Sequence, residues 1–374
     1  MATVSVVAGS GGPGFADGPA ATARFNWPSD IAVAPDGGYL VTDYFNNRVR
    51  RLAPDGTVST VAGTGEAGGT DGPGEVATFN CMRGIAVDRR GIVYVTELWG
   101  NRVRKIICTG GGWVVSTVVA AGLCGPWGIA VGVDGHLVVA DGGLQRVVQV
   151  VPATGAITVL AGDGIRGFRD GPGATARFDR PWGVAVGRCG DIFVTDGYGH
   201  RVRRISAADH TVTTVAGSGV RGSADGVGLA AQFNSPQSVV VDGRGTLIVV
   251  DSGWNRVKVL RRIADGVVTT VAVDGTPIGR IIGVEIDHDG SLLVAVPNTN
   301  RVFRVAGLGL VPPFPTPTWS PRTHRELTVM APGLHRFVTT VMLCATRLDY
   351  TPLHLPHTLW LAILEMLRPD QMIH

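Results

Sequence analysis

From its start to about residue 306 the chain alternates short apolar runs with glycine-rich turns. Ala176 to Ile205 is representative. An apolar run (Gly183 to Val186) is followed by a turn (Gly187 to Gly190), a second run (Ile192 to Val194), a carboxylate (Asp196) and a third run opened by Arg201. Short runs of β-branched and small apolar residues, bounded by Gly, Pro, Asn and Asp, are strand signals. The turns carry matching chemistry, as in Pro35-Asp36-Gly37-Gly38, Pro54-Asp55-Gly56, Val133-Asp134-Gly135 and Asp289-Gly290.

Variants of this stretch recur six times. An Arg-Val pair marks each unit, at Arg48, Arg102, Arg146, Arg201, Arg256 and Arg301, with intervals of 54, 44, 55, 55 and 45 residues. That spacing suits a four-stranded propeller blade with variable loops. In the first unit the predicted strands are Ile31 to Ala34, Tyr39 to Thr42, Arg48 to Leu52 and Val58 to Ala62. The sixth unit has a third run but no fourth. The chain instead begins with an unmatched run, Val4 to Gly9, similar to Val58 to Gly63 and Val212 to Gly217. The prediction is an all-β, six-bladed propeller of four-stranded blades whose N-terminal strand completes the last blade, a closure that removes exposed edges. Four units begin with a long loop (Gly9 to Ala23, Gly63 to Ala77, Gly162 to Ala176, Gly217 to Ala231), and units three and six are about ten residues shorter. The order long, long, short, repeated, points to a duplicated three-blade block.

After Leu310 the pattern stops. Five prolines between Pro312 and Pro321 predict an extended linker over 307–322. A short α-helical C-terminal tail is predicted over 323–374, from Thr323 and Glu326 as a capping box and from apolar residues at helical spacing around Leu334 to Leu348 and Leu359 to Leu367. The expected domains are therefore 1–306, 307–322 and 323–374.

Composition changes this picture little. The 54 glycines suit many tight turns, and a net charge of +3 is too small for a strong pull on DNA or a membrane. Five isolated cysteines without a CxxC argue against a disulfide framework or a structural zinc site. With no basic and apolar leader pattern, the expected compartment is reducing and cytoplasmic. No run reaches the length of a spanning helix.

An acidic residue stands five before the marker arginine in five units: Asp43 and Arg48, Glu97 and Arg102, Asp141 and Arg146, Asp196 and Arg201, Asp251 and Arg256. Each carboxylate ends one strand and each arginine opens the next. A catalytic group is needed once, so a repeated pair reads as a structural ion pair pinning the hairpin. Four GxGxxG matches, beginning at Gly9, Gly63, Gly162 and Gly217, are followed by Asp-Gly and more loop instead of a helix, so they are not dinucleotide sites.

Gly84 to Asp88 (GIAVD), Ile92 to Glu97 (IVYVTE) and Asn101 to Ile106 (NRVRKI) resemble the NHL repeat, and the resemblance covers about residues 3 to 306. It implies a six-bladed propeller, and binding more often than chemistry: protein partners, or single-stranded RNA. Two enzyme classes share the architecture. Gluconolactonase-like propellers hold a divalent cation at the axis with carboxylate and Asn ligands, and the amidating lyase uses His ligands for zinc. Here the residues that open the inner strands are Ser29, Arg83, Trp127, Trp182, Gln237 and Ile282, followed by Asp30, Gly84, Gly128, Gly183, Ser238 and Gly283. That set holds one carboxylate and no histidine. His136, His200, His210 and His288 fall in turns on opposite faces. The expectation is accordingly no catalytic residue, no metal and no cofactor.

What remains is a surface. The long loops share one face with the second-to-third-strand hairpins, which carry Tyr44, Phe45, Trp99, Tyr198, His200 and Trp254, while Trp127 and Trp182 reach the axis from the same side. Aromatic side chains among polar loops suit a protein interface. RNA would use the same rings for stacking but needs a basic groove, and the ion pairs occupy much of the arginine supply. In the tail, Leu355 to Leu364 (LPHTLWLAIL) resembles the opening of an F-box, which implies recruitment of ubiquitin-ligase machinery; the alternative is an amphipathic docking helix. The reading is a non-catalytic scaffold with protein partners.

Overall fold

In the computed structural model, residues 2–251, 259–273 and 278–313 are described. Their strands form six antiparallel sheets arranged as consecutive blades. Blade 1 comprises Pro28–Val33, Tyr39–Asp43, Arg48–Leu52 and Thr57–Ala62, counted outward from the axis. Blade 4 repeats the plan with Pro181–Val186, Ile192–Asp196, Arg201–Ile205 and Val212–Ala216. Blade 6 closes the ring: Thr3–Ala8 pairs antiparallel with Arg301–Ala306, outside Leu292–Val296 and Gly283–Ile286. The sequence-predicted propeller and its closure by the N-terminal strand are thus the observed fold.

The apolar core is six wedges, each between neighbouring blades. Successive residues of a middle strand point to opposite faces, so one strand serves two wedges. Leu40 packs toward blade 2 and Val41 toward blade 6. Ile192 and Val194 pack toward blade 3, while Phe193 packs toward blade 5. This is why these strands read as continuous apolar runs without polar alternation. Near the axis the blades approach so closely that backbone meets backbone. A Cβ on Gly128 would lie 2.6 Å from the Trp182 carbonyl oxygen, and one on Gly183 would lie 2.7 Å from the Ser238 Cα. Threonines of the second strands span the same seam: Thr96 donates to the Trp127 carbonyl (2.5 Å) and Thr195 to that of Gln237 (3.3 Å).

Each long loop bends back to cover the outer edge of the blade it enters. Gly18–Pro19 pairs with Thr57 and Val58, Gly72–Pro73 with Val114 and Val115, and Gly226–Val227 with Val267 and Val268. After blade 6 the chain runs across the opposite face, that of the first-to-second-strand turns. Leu310 is buried, Val311 accepts from the Gly243 amide (2.7 Å), and Arg188 donates to the Pro313 carbonyl (2.9 Å). The first seven residues of the expected linker are therefore docked. The predicted helices, the F-box-like segment, Trp254 and Arg256 lie outside the described residues.

Removing residues 2–9 would leave the third strand of blade 6 with an unpaired edge. The expected outcome is a loss of more than about 4 kcal/mol, the range reserved for a broken structural device, with concentration-dependent self-association on size-exclusion chromatography. A truncated chain that stays monomeric and melts like the intact one would refute the role of this strand.

Candidate functional site

The repeated carboxylates build an interior network in which Asp141 with Arg146 and Glu97 with Arg102 pair as expected, while Asp43 and Asp196 take other partners. Asp43 pairs with Arg50 (2.8 Å) and Asp196 with Arg203 (3.1 Å), two residues beyond the marker arginines Arg48 and Arg201. Arg48 and Arg201 turn outward and lie over the loop rings of Phe15 and Phe168, at 4.0 and 3.8 Å from the ring centres. Glu97, one methylene longer than Asp, reaches both Arg104 (2.6 Å) and Arg102 (3.2 Å). In blade 3, Val148 stands where the inner arginine would be, and Asp141 pairs with Arg146 (2.9 Å). In blade 5 the register sets Asp251 opposite Val259, and Asp251 pairs with Arg261 (3.2 Å).

Arg50, Arg104, Arg203 and Arg261 have fully buried side chains. Each bonds a second carboxylate from its long loop: Asp17, Asp71, Asp170 or Asp225. Those loop aspartates also accept from the fourth strand, at the Thr60, Thr117, Thr214 and Thr270 amides. The guanidinium groups stack on Phe25, Phe79, Phe178 and Phe233, 5.0 to 5.2 Å from the ring centres. Burial pushes Asp196 and Asp251 up to about 6, against the pull of Arg203 and Arg261, so both stay ionised at neutral pH. One arginine thereby ties together a hairpin, a loop and an edge strand.

His200 belongs to a second repeated device. The residue before each marker arginine is left-handed (φ 47° to 55° at Asn47, Asn101, Gln145, His200 and Asn300). Its side chain accepts the amide that opens the next blade. Asn47 accepts from Cys81, Asn101 from Gly125, Gln145 from Arg180 and His200 from Ser235 (Nδ1, 3.1 Å); Asn300 accepts from Trp27 across the closure. His200 is therefore a staple in an asparagine position. Burial and the Arg221 charge lower its pKa, which keeps the ring neutral and its Nδ1 an acceptor.

The aromatic candidates divide by burial. Tyr44 (8% exposed) and Trp182 (3%) pack inside, whereas Phe45 (55%) and Trp99 (67%) stand in solvent. Tyr198 meets the Trp182 ring edge-on at 5.2 Å. Trp127 stacks on Trp182 (5.1 Å, 25°), and the Arg83 guanidinium lies 4.1 Å from the Trp127 ring centre. Ser29, Asp30, Arg83, Trp127, Gln237 and Ile282 line a narrow axial cavity. Burial pushes Asp30 up to about 7 and Arg83 down to about 10. Two residues deeper on the blade 6 inner strand, burial and the charges of Asp30 and Asp287 push Glu285 up to about 8. Glu285 lies two residues past Gly283, beyond the residues that open the inner strand. Among the described residues no three His, Cys, Asp or Glu side chains cluster as metal ligands, and no helix is long and apolar enough to cross a membrane.

Comparison with known proteins follows the same lines. The profile of the NHL repeat family matches residues 25–52, 123–149 and 178–205. The protein SUPPRESSOR OF QUENCHING 1, chloroplastic, of Arabidopsis thaliana is 26% identical over 306 residues, covering 72% of this chain and 28% of its own length. NHL repeat-containing protein 2 of Bos taurus is 27% identical over 301 residues, covering 67% of this chain and 41% of its own. The chain thus spans less than half the length of these relatives. Among solved structures, a gluconolactonase from Xanthomonas campestris superposes with a TM-score of 0.54 at 15% identity, over 75% of this chain and 86% of its own. At that identity the likeness is one of fold.

Two outcomes check these devices. Asp196→Ala leaves Arg203 buried beside one carboxylate and is expected to cost about 3–5 kcal/mol. Asp141→Ala, whose partner Arg146 is 21% exposed, should cost clearly less; equal losses in denaturant titrations would refute the clamp. His200 has a folded pKa below its usual value, so its contribution is full above about pH 6.5 and is lost as pH falls through the lowered pKa. His200→Asn should narrow the gap in melting temperature between pH 7.5 and pH 5, and an unchanged gap would contradict the staple.

Proposed function

The chain is an NHL-repeat β-propeller protein, and from that premise we propose that it is a non-catalytic scaffold whose long-loop face docks a protein partner. The asymmetry of its exposed apolar surface carries this reading. Of fifteen large apolar side chains exposed among the described residues, ten belong to the long loops or the second-to-third-strand hairpins, including Phe45, Trp99, Ile165, Val220 and Leu229. Val133 alone belongs to the turns of the opposite face. Apolar surface gathered on one face of a soluble ring marks an interaction site. The arginine clamps hold these loops in one conformation before any partner arrives, which lowers the ordering cost of association. Against RNA on this face, the inner arginines among the described residues are buried and paired. The tail recruits a second component, and its F-box-like opening names ubiquitin-ligase machinery as the class.

The test is affinity capture from the native cell with quantitative mass spectrometry. Phe45→Asp combined with Trp99→Asp should lose at least about tenfold of the partner, the loss of one to two hot spots, with the melting temperature unchanged. Recovery of the same proteins by variant and wild type would defeat the docking face. Truncation after residue 313 should remove ligase components and leave the loop-face partner bound. Retention of ligase components after truncation would defeat the role of the tail.

A further inference from the structure

At the opening of the inner strands, the six blades carry six side chains that do not follow the repeat. Two of them are polar and buried, each with one atom that has no hydrogen-bond partner. Arg83 is 6% exposed and Gln237 4% exposed, and both line the axial cavity. The Arg83 Nε and the Gln237 Oε1 have no hydrogen-bond partner. Every other fully buried arginine of the ring meets two carboxylates. Arg83 has a stacking contact with Trp127 and no ion pair. The nearest acid, Asp30, uses its Oδ2 to accept the Ile85 amide (3.1 Å). A guanidinium taken out of water with nothing to bond is costly and is retained only where something repays it.

We propose that the axial cavity binds a carboxylate group that carries a hydrogen-bond donor beside it, the carboxylate on Arg83 and the donor on Gln237. The guanidinium carbon lies over the Trp127 ring, 4.1 Å from its centre, and guanidinium N–H pairs match the two oxygens of a carboxylate. Gln237 then supplies the acceptor that an adjacent hydroxyl, ammonium or amide N–H requires. Trp127, backed by the stacked ring of Trp182, forms an apolar wall for the carbon atoms. The cavity is narrow because Gly84, Gly128 and Gly183 let the blades meet at backbone distance, so a head group enters and the remainder stays at the mouth. Phosphate fits poorly: one guanidinium cannot satisfy its oxygens. Two sources share the required chemistry. One is a free hydroxy or amino acid, and the other is the C-terminal residue of a polypeptide, whose own N–H stands beside its carboxylate.

The full chain is titrated with glycolate, acetate, inorganic phosphate, tetraglycine and tetraglycine amide at constant ionic strength, read by tryptophan fluorescence and by melting temperature. Glycolate, tetraglycine or both should bind. Acetate, which lacks the donor, should bind about tenfold more weakly than glycolate, in line with one lost hydrogen bond. Arg83→Met should raise the melting temperature without ligand, because an unpaired buried charge is removed, and should weaken binding at least tenfold. Gln237→Leu should erase the preference for glycolate over acetate, and it serves if Arg83→Met fails to fold. Binding of glycolate alone assigns a small acid; binding of tetraglycine alone assigns a chain terminus. No response to either, equal response to phosphate or to the amide, or an Arg83→Met response equal to wild type would overturn the proposal. The assay contains no protein partner, so its failure leaves the loop-face reading standing.

Discussion

The structure depends on a buried arginine clamped between two carboxylates. Arg50, Arg104, Arg203 and Arg261 lie fully inside their blades. Removing a guanidinium from water is unfavourable by several kcal/mol unless its charge and its donors are all met. Each charge is met by a strand-end acid and a loop aspartate, with loop carbonyls such as those of Arg24 and Ala16 around Arg50 and an aromatic face beside it. The network is cooperative, because each acid is itself fixed by backbone amides: Asp43 by that of Asn26, Asp17 by that of Thr60. The molecule contains its own control. Blades 3 and 6 have Val148 and Phe303 at the clamp position, and these are the two blades entered by short loops. Long loop and clamp occur together or not at all, which is the relation expected if the arginine is what folds the loop.

The architecture was legible in the sequence because repetition is a global signal. Six Arg-Val pairs and one unmatched strand at each end of the count leave a ring as the economical arrangement, and Thr3–Ala8 pairing with Arg301–Ala306 completes it. The partner of each carboxylate was less legible. Asp43 and Arg48 are directly opposed across the hairpin, so spacing alone selects that pair. The choice of Arg50 is made by burial. Arg48 stands at the blade rim, where the Asn46 and Thr64 carbonyls and the Phe15 ring satisfy it, while Arg50 is fully buried and must take the acid. Spacing also cannot see a register change, and in blade 5 Asp251 faces Val259.

His200 belongs to a different repeated device. A histidine beside an acid and an arginine invites a chemical reading. Its neighbours in the repeat, Asn47, Asn101, Gln145 and Asn300, share only a side-chain acceptor and a left-handed backbone. The common property was present in the sequence as the residue before each marker arginine. Its purpose was not, because the amide it accepts lies 34 or 35 residues away in the next blade for Asn47, Gln145 and His200. Only the ring brings them together.

A repeated fold sorts its residues by whether they obey the repeat. Obedient positions, such as the clamps, the staples and the axial glycines, are explained by the stability of the ring and carry no information about a ligand. Information lies in the departures. At the loop tips these are Phe45 and Trp99, exposed where Tyr44 and Tyr198 are tucked against other rings. At the axis they are Arg83 and Gln237, each polar with one unpartnered atom, beside the stacked indoles of Trp127 and Trp182. Phe45 touches Trp27 and Tyr44 yet leaves more than half of its surface in solvent, and Arg83 costs stability where it stands. A residue kept at a cost to the fold needs a reason outside the fold. Both sets open onto the long-loop face, so one side of the ring holds the exposed apolar tips and the unpaired buried charge together, while the other face carries the docked strand of residues 307–313.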